Sequence, residues 1–151
     1  MLHFTGSLSI DSDAIAIFVN EKFIYKDKKG ILSNELNKKI NSFLTALKKK
    51  KKEDEIFSFD ISDNQKCFIV KVNSKHESFY PGEIGGRFFS NLKKVQDVKK
   101  IDLYIDTIDF DKEKLVSFFS EFCLGFNLKS YTFNKYKTID KEKISKKIIF
   151  K

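Results

Sequence analysis

Hydrophobic residues recur with strand and helix periods along most of the chain. The continuous apolar run AIAIFV, residues 14–19, predicts a strand that is buried on both faces. Two further strand patterns, residues 56–61 and 67–72, flank the turn-forming residues 62–65, and together they predict a β-hairpin. Additional strand patterns lie at residues 2–10, 101–105 and 147–150.

Three amphipathic patterns predict helices between these strands. Ser33 can cap the first helix, and apolar residues recur on one of its faces at helical spacing: Leu36, Ile40, Phe43, Leu44 and Leu47. The second helix is predicted from about Ile84 to Val95, after a loop that contains the only proline. Asp109 or Asp111 can cap the third helix, whose apolar stripe is Leu115, Phe118, Phe119, Phe122 and Phe126.

The alternation of strands and helices after the hairpin predicts an α/β protein with a mixed sheet. We therefore expect an α/β sandwich. At 151 residues, the chain is long enough for a single domain, 1–151, with a substantial core. The polar residues 20–30 predict a loop that could hold a short hairpin around residues 23–25, and the strand order within 20–65 stays open.

Glycines occur around the start of the second predicted helix and near the end of the third. Gly82, Gly85 and Gly86 form G-x-x-G-G, and a glycine loop at a helix N-terminus can cradle a phosphate. The alternative, which we favour, is that Gly85 and Gly86 let the helix pack closely on the sheet. Gly125 is either the C-terminal stop of the third helix or a close-contact glycine within it.

The formal net charge of +8 favours acidic partners, including nucleic acid. The lysine run after the first helix is interpreted as a solvated helix end and loop. Phosphate binding is the alternative, since clustered positive charge is enough for it. Lysine outnumbers arginine, which argues against a surface that reads bases. The candidate phosphate contacts are Lys48, Lys49, Lys50, Lys51, Lys52 and Lys135.

No arrangement of nucleophiles or metal ligands stands out in the sequence. His3 and His76 are the only histidines, and neither has a partner at ligand spacing. Cys67 and Cys123 lie in apolar contexts, which predicts buried thiols. The acidic residues 102–111 lie where a strand gives way to a helix, so caps and turns explain them. We therefore expect no catalytic residue, metal site or cofactor in this chain.

The first residues lack the basic and apolar regions of a signal peptide. No apolar run approaches the roughly 20 residues that span a bilayer. We accordingly expect a cytoplasmic protein that has no membrane partner.

The stretch GFNLKSYTFNKYKT, residues 125–138, carries aromatic residues among lysines at the end of the third helix pattern. This stretch resembles the end of the N-terminal domain of leucyl aminopeptidases, the cytosol aminopeptidase family of two-metal exopeptidases. Residues 13–19 resemble the family's early buried strand, and residues 84–87 resemble the start of the helix after its central strand. The matching positions in the last stretch are Gly125, Leu128, Ser130, Tyr131, Phe133, Asn134, Tyr136, Lys137 and Thr138.

The resemblance implies a three-layer α/β/α sandwich with a macro-domain-like fold. It also implies an aminopeptidase N-terminal domain without its catalytic C-terminal domain. In the family, two divalent metals (zinc or manganese), their ligands and the Asn-Thr-Asp-Ala-Glu-Gly-Arg motif all belong to the C-terminal domain. The motif does not occur in this sequence. The implied function is a non-catalytic accessory or oligomerisation domain of a protein whose full-length form releases N-terminal amino acids.

The implied partners are the chain's own catalytic domain and a homo-hexamer. The candidate contact residues are Tyr131, Phe133, Tyr136 and Lys137. Two alternatives stay open. One is a nucleic-acid-binding module that acts through the basic patches, because some bacterial members of the family bind DNA. The other is a small-molecule site of macro-domain type for ADP-ribose, at the ends of the parallel strands.

Overall fold

The computed structural model describes residues 2–4, 12–50, 54–73, 75, 79–95, 98–131 and 147–150. Strands are β1 (Leu2–Phe4), β2 (Ala14–Asn20), β3 (Ile56–Ser62), β4 (Gln65–Val72), β5 (Lys100–Tyr104) and β6 (Lys147–Phe150). Helices are α1 (Asn34–Lys49), α2 (Tyr80–Lys93) and α3 (Lys112–Ser130), and a 3-10 turn covers Ile105–Thr107.

These strands form one mixed sheet in the order β1-β6-β5-β2-β4-β3. The neighbouring strands pair in parallel, except for the antiparallel hairpin of β3 and β4. The hairpin and the mixed sheet are therefore confirmed, and the order left open by the sequence places β3 at an edge. Strand β2 is central, with Ile15 opposite Cys67 of β4 and Asp102 of β5.

Two hydrophobic cores lie on opposite faces of the sheet, which confirms the three-layer arrangement. Alternate residues of β2 face opposite sides, so Phe18 packs under α2 and α3 whereas Ile17 packs under α1. All six residues of the run 14–19 are buried, as the sequence predicts. The α1 side also buries the predicted helix residues Ile40, Leu44 and Leu47.

Side-chain caps fix where two helices begin. The Ser33 hydroxyl accepts a hydrogen bond from the Leu36 backbone N–H at 3.2 Å and starts α1. The Asp111 carboxylate accepts from the Lys114 N–H at 2.8 Å and starts α3, which decides between the two predicted caps. Each cap satisfies a backbone donor that has no partner within its helix. The predicted stripe of α3 is buried at Phe118, Phe119, Phe122 and Phe126.

Helix α2 begins four residues earlier than predicted. It starts at Tyr80 and includes Pro81 in its first turn. Proline suits that position because the first helical N–H groups need no intrahelical partner and its φ angle is already helical. The sequence pattern places Pro81 in a loop before the helix, and the structure corrects that boundary.

The short hairpin predicted around residues 23–25 is wrong, because residues 21–33 form a loop with no strand. The Asn20 side-chain oxygen accepts from the N–H groups of Lys22 and Ile24 at 3.0 and 2.9 Å. Phe23 takes a positive φ of 55° and turns its ring into the α1-side core, 5.8 Å from the ring centroid of Phe57. Local capping by Asn20 and burial of Phe23 thus replace strand pairing.

Among the helices that the structure describes, none has the length and apolar character required to cross a membrane.

Candidate functional site

Helices α2 and α3 approach each other closely along a seam of three glycines, Gly82, Gly85 and Gly125. A Cβ atom at Gly125 would lie 1.9 Å from the carbonyl oxygen of Gly82. A Cβ atom at Gly85 would lie 2.1 Å from the carbonyl oxygen of Phe122. Only residues without a side chain allow this approach of two backbones. At Gly86 the nearest atom would be 3.6 Å away, so that position tolerates a methyl group.

The seam decides between the sequence-based alternatives for the glycines. Gly82, Gly85 and Gly86 all lie inside α2, so they do not form a phosphate-cradling loop before it. Gly85 permits close packing of α2, as the favoured alternative predicts. Its packing partner, however, is α3 and not the sheet. Gly125 lies within α3 and makes a close contact, as the second alternative predicts.

An open groove of about 1500 Å³ lies over this seam and extends to residues 54–56 at the start of β3. Its apolar part includes Phe79, Leu124 and Leu128, whose side chains are exposed to 80%, 58% and 67%. Charged residues of both signs surround this apolar part: Glu55, Glu83, Arg87, Lys94, Glu121 and Lys129. Apolar side chains inside a charged rim are typical of a protein-contact surface.

One row of α3 at four-residue spacing, which we call the outer ridge, is apolar except for Ser120: Val116, Ser120, Leu124 and Leu128. Helical residues four apart lie on one face. Val116 is 61% exposed, and Tyr131, at the C-terminal cap of α3, is 74% exposed. The opposite face of α3 carries the buried phenylalanines. Helix α3 is therefore apolar on both faces, whereas a helix that only covers a core is polar on its outer face.

The rim charges differ in how they are paired. Arg87 bonds to Glu83 at 3.2 Å and also to Glu55, so the charge at that end is neutralised within the chain. Glu121 and Lys129 form no ion pair with the residues that the structure describes. Both lie in the row of α3 that also contains Gly125, on the side of this helix that faces α2.

The contact residues predicted from sequence are only partly within the described chain. Tyr131 is exposed and follows the outer ridge. Phe133, Tyr136 and Lys137 lie outside the described residues. The outer ridge is not predicted from the sequence, although its four-residue spacing is present there. The phenylalanine stripe is the stronger apolar pattern in this helix, and it is the one that predicts the buried face.

The three lysine candidates that the structure describes lie on the other side of the sheet from the groove. Lys48, Lys49 and Lys50 are exposed at the C-terminal end of α1, where positive charge complements the helix dipole. This observation agrees with the interpretation as a solvated helix end, and the exposed ammonium groups also remain accessible to phosphates. The other candidates, Lys51, Lys52 and Lys135, lie outside the described residues.

Residues that could carry chemistry are placed in structural roles. Burial raises the pKa of Cys67, and it raises the pKa of Cys123 to about 11, which disfavours the reactive thiolate of both. Asp106 pairs with Lys29, and hydrogen bonds from Lys26 and Lys28 lower the pKa of Asp109. Within the described ranges, no group of three His, Cys, Asp or Glu residues is placed to hold a metal.

The 3-10 turn and the loop 21–33 pack at the carboxyl ends of β2 and β5. The Thr107 hydroxyl accepts from the Phe18 N–H at 2.9 Å and donates to the Tyr104 carbonyl at 2.7 Å. The Lys26 N–H donates to the Thr107 carbonyl at 2.9 Å, which ties the loop 21–33 to this edge. A smaller depression of about 330 Å³ remains between that loop and α1.

The comparison with solved structures assigns the fold. The chain is similar to a mutant of tomato leucine aminopeptidase, with a TM-score of 0.69 and 17% identity, over 99% of this chain and 32% of that chain. It is also similar to the macrodomain of Thermus aquaticus DarG, with a TM-score of 0.63 and 12% identity, over 99% of this chain and 97% of that one. The fold is macrodomain-like. This confirms the predicted fold class, whereas identities this low support no closer relationship.

No family model and no curated protein matches the sequence. The chain spans about a third, 32%, of the aminopeptidase chain that it resembles in fold. The likeness to leucine aminopeptidase that the sequence implies is therefore supported at the level of the fold.

Proposed function

We propose that this chain is a non-catalytic accessory domain of a protein related to leucyl aminopeptidases, and that it acts through contact with other protein surfaces. The observation that carries this proposal is the fold match, which takes in 99% of this chain but only 32% of an aminopeptidase chain. A unit of that extent corresponds to one part of the aminopeptidase chain. The residue pattern that ends α3, from Gly125 to Tyr131, supports the same relationship.

The exposed outer ridge and groove supply a physical basis for contact. Leu124 and Leu128 expose apolar surface to water. A partner that covers this surface stabilises the complex by roughly 25 cal/mol per Å² of apolar area buried. Tyr131 extends this surface, and we propose Phe133, Tyr136 and Lys137 as further contacts beyond it. The proposed partners are a two-metal catalytic domain, with zinc or manganese, and a homo-hexamer in the cytoplasm.

Leucine release provides a direct test of the non-catalytic role. Purified chain 1–151 is incubated with leucinamide and either zinc or manganese, beside a mock preparation from cells without the gene. We expect the two to release leucine at the same background rate, since the described residues contain no metal-holding group. Metal-dependent release that copurifies with the chain would overturn the proposal.

The coding sequence that follows codon 151 tests the relationship to aminopeptidases separately. We expect it to continue into a segment with a metal-binding lysine and the Asn-Thr-Asp-Ala-Glu-Gly-Arg motif. A continuation that encodes an unrelated domain would contradict the aminopeptidase relationship.

A second candidate function is nucleic-acid binding through the end of α1, favoured by the exposed Lys48, Lys49 and Lys50. Binding of a labelled 20-mer duplex is measured between 50 and 200 mM salt, where phosphate contacts lose affinity steeply. Changing all three lysines to Ala should abolish such binding. The matched control, with the same charge change on the α2–α3 side, replaces Lys93, Lys94 and Lys129. An equal loss of duplex affinity in both triple variants, or an affinity that does not change with salt concentration, would count against this candidate.

The match to nearly all of the DarG macrodomain chain, 97%, favours a third candidate, an ADP-ribose site. Thermal unfolding with increasing ADP-ribose tests it, because a ligand that binds only the folded state raises Tm with concentration. The loop 21–33 and Thr107 occupy the carboxyl ends of β2 and β5, so we expect no shift. A saturable rise in Tm would make this candidate the leading one.

A further inference from the structure

We propose that a second copy of this chain pairs with the outer edge of β3, so that two β3 strands run antiparallel about a twofold axis at Ser58 and one sheet continues through both copies. This edge is distinct from the outer ridge of α3, so the inference goes beyond the contact role proposed above. It is carried by the direction of the backbone groups of β3 and by the side chains beside them.

One hydrogen bond at the start of β3 shows which of its backbone groups point towards β4. The Lys71 N–H donates to the Glu55 carbonyl at 2.7 Å. In an antiparallel ladder, residues that exchange hydrogen bonds alternate with residues that do not. With the register of β3 and β4, the next residues that bond to β4 are therefore Phe57 and Phe59.

A second hydrogen bond, at the other end of the ladder, agrees with this alternation. Lys66 of β4 is opposite Asp60, but its N–H donates to the Asp13 carbonyl at 3.0 Å, on the β2 side. The backbone groups of Ile56, Ser58 and Asp60 therefore point away from β4, out of the edge of the sheet. In the part of the chain that the structure describes, no hydrogen bond reaches these outward groups.

Strand β3 lacks most features that protect an exposed strand edge. Native edges are usually short, or they carry lysine, proline or a bulge. β3 has seven residues, none of which is lysine, arginine or proline, whereas β1 at the other edge has three. Its one charged residue, Asp60, pairs with Lys66, and its register irregularity lies between Asp60 and Ser62. Residues 56–60 are thus open to a further strand.

A twofold axis at Ser58 matches all of the outward backbone groups. It places Ser58 opposite Ser58 of the second copy, and it places Ile56 of each copy opposite Asp60 of the other. Both residues of each pair direct their N–H and C=O groups outward, so each pair can exchange two hydrogen bonds. No outward group in residues 56–60 is left without a partner.

The side chains beside these groups favour a second copy over an unrelated strand. The same axis places Phe57 opposite Phe59 of the second copy, on the α1 side of the sheet, in the type of pair whose side chains are closest. Both rings are partly exposed in the single chain, and aromatic cross-strand pairs stabilise a sheet. On the other face, Asp60 meets Ile56, so like charges are not placed opposite each other.

The oligomeric state of the full chain tests this proposal. Sedimentation velocity over a concentration series should reveal a reversible monomer–dimer equilibrium. Ser58→Pro removes the N–H at the axis and both hydrogen bonds that it makes, so the dimer Kd should rise about tenfold or more. Proline is tolerated on an edge strand where the N–H points to solvent, and circular dichroism establishes that the variant folds. Ser58→Ala is the matched control, because it keeps the N–H and should leave the Kd nearly unchanged.

A charge at the axis provides a second test that spares the backbone. Ser58→Lys places two ammonium groups opposite each other and should raise the dimer Kd at least several-fold. Ser120→Lys makes the same change at an exposed serine of α3 and should leave the Kd unchanged. A dimer that Ser120→Lys weakens and Ser58→Lys does not would be formed by α3, and this result would overturn the proposal.

Cross-linking tests the position of the axis. The Cα atoms of a directly opposed, hydrogen-bonded pair lie about 5.5 Å apart, which a disulfide can span. Ser58→Cys should therefore give a linked dimer with oxidised glutathione, which accepts the two electrons of the two thiols. Asp60→Cys faces Ile56 and should link much more slowly, and the natural chain reports any background from Cys67 and Cys123. Faster linking of Asp60→Cys than of Ser58→Cys would overturn the axis at Ser58.

The outcomes separate this proposal from the accessory role. A chain that stays monomeric at millimolar concentration, or a dimer that neither proline nor lysine at position 58 weakens, would overturn the pairing of β3 and leave the accessory role standing. Metal-dependent leucine release would overturn the accessory role whatever the oligomeric state.

Discussion

Replacing Gly125 with alanine should force α2 and α3 apart. The added Cβ would meet three backbone atoms of Gly82, at 1.9, 2.5 and 2.7 Å, and backbone cannot rotate out of the way as a side chain does. Ordinary contact begins near 3.4 Å, so the two helices must separate locally by about 1.5 Å, which is 3.4 minus 1.9 Å. The aromatic contact between Phe89 and Phe126, with ring centroids 4.9 Å apart, lies in the same interface and would loosen with it.

The expected loss of stability combines two opposing effects. Overpacking costs about 1–3 kcal/mol, and a clash with backbone belongs at or above the upper end of that range. Alanine recovers about 1 kcal/mol relative to glycine through its helix propensity. We therefore expect Gly125→Ala to lower the free energy of unfolding by about 2 kcal/mol or more.

Gly86→Ala provides a matched control in the same helix pair. Its Cβ would find the nearest atom, the Gly125 carbonyl oxygen, at an ordinary 3.6 Å. Only the propensity gain then remains, so this variant should be more stable by up to about 1 kcal/mol. Urea unfolding followed by circular dichroism measures both changes. If Gly125→Ala is as stable as the natural chain, or if the two variants shift together, the argument from the seam is wrong.

Three other predictions concern the caps, the covered strand edge and the tyrosines. Asp111→Ala removes the cap of α3 and should cost about 1 kcal/mol in urea unfolding, with Asp111→Asn nearly neutral; equal losses would contradict the capping role. Thr107→Val leaves the buried Phe18 N–H without its acceptor and should cost about 1–3 kcal/mol, whereas Thr107→Ser keeps the bond; a stable valine variant would refute this. Burial raises the pKa of Tyr80 and Tyr104 to about 12, so both favour the folded state below pH 10 and lose that contribution as pH rises from 10 to 12. Absorbance at 295 nm should show that these two tyrosines ionise near pH 12, above the other tyrosines. A single transition near pH 10 while the protein stays folded would contradict the raised pKa values.

The candidate site shows how far local patterns reach. The sequence identified Gly125 but left its role open, because the atom that decides it belongs to Gly82, 43 positions earlier in the chain. Leu124 and Leu128 also belong to an apolar four-residue spacing that is visible in the sequence of α3. Their exposure, however, depends on which face of α3 meets the sheet, and both faces of this helix are apolar.

Local sequence patterns also gave wrong predictions for two segments whose conformation depends on tertiary packing. The pattern around Phe23 suggested a strand, but its ring enters the α1-side core and the Asn20 side chain takes the neighbouring N–H groups. Likewise, Pro81 marked a break in the sequence, whereas in the structure it starts α2. Both outcomes depend on what packs against the segment.

The sequence by itself determined the elements whose causes lie within a few residues. The uninterrupted run in β2, the apolar face of α1 and the cap at Ser33 all follow from side-chain periodicity and from hydrogen bonds to the adjacent turn. Only the tertiary structure decided the strand order, the partner of the glycine seam and the exposure of the outer ridge. These depend on contacts between residues that are distant in the chain, and such contacts leave no periodic pattern in either of the segments that make them.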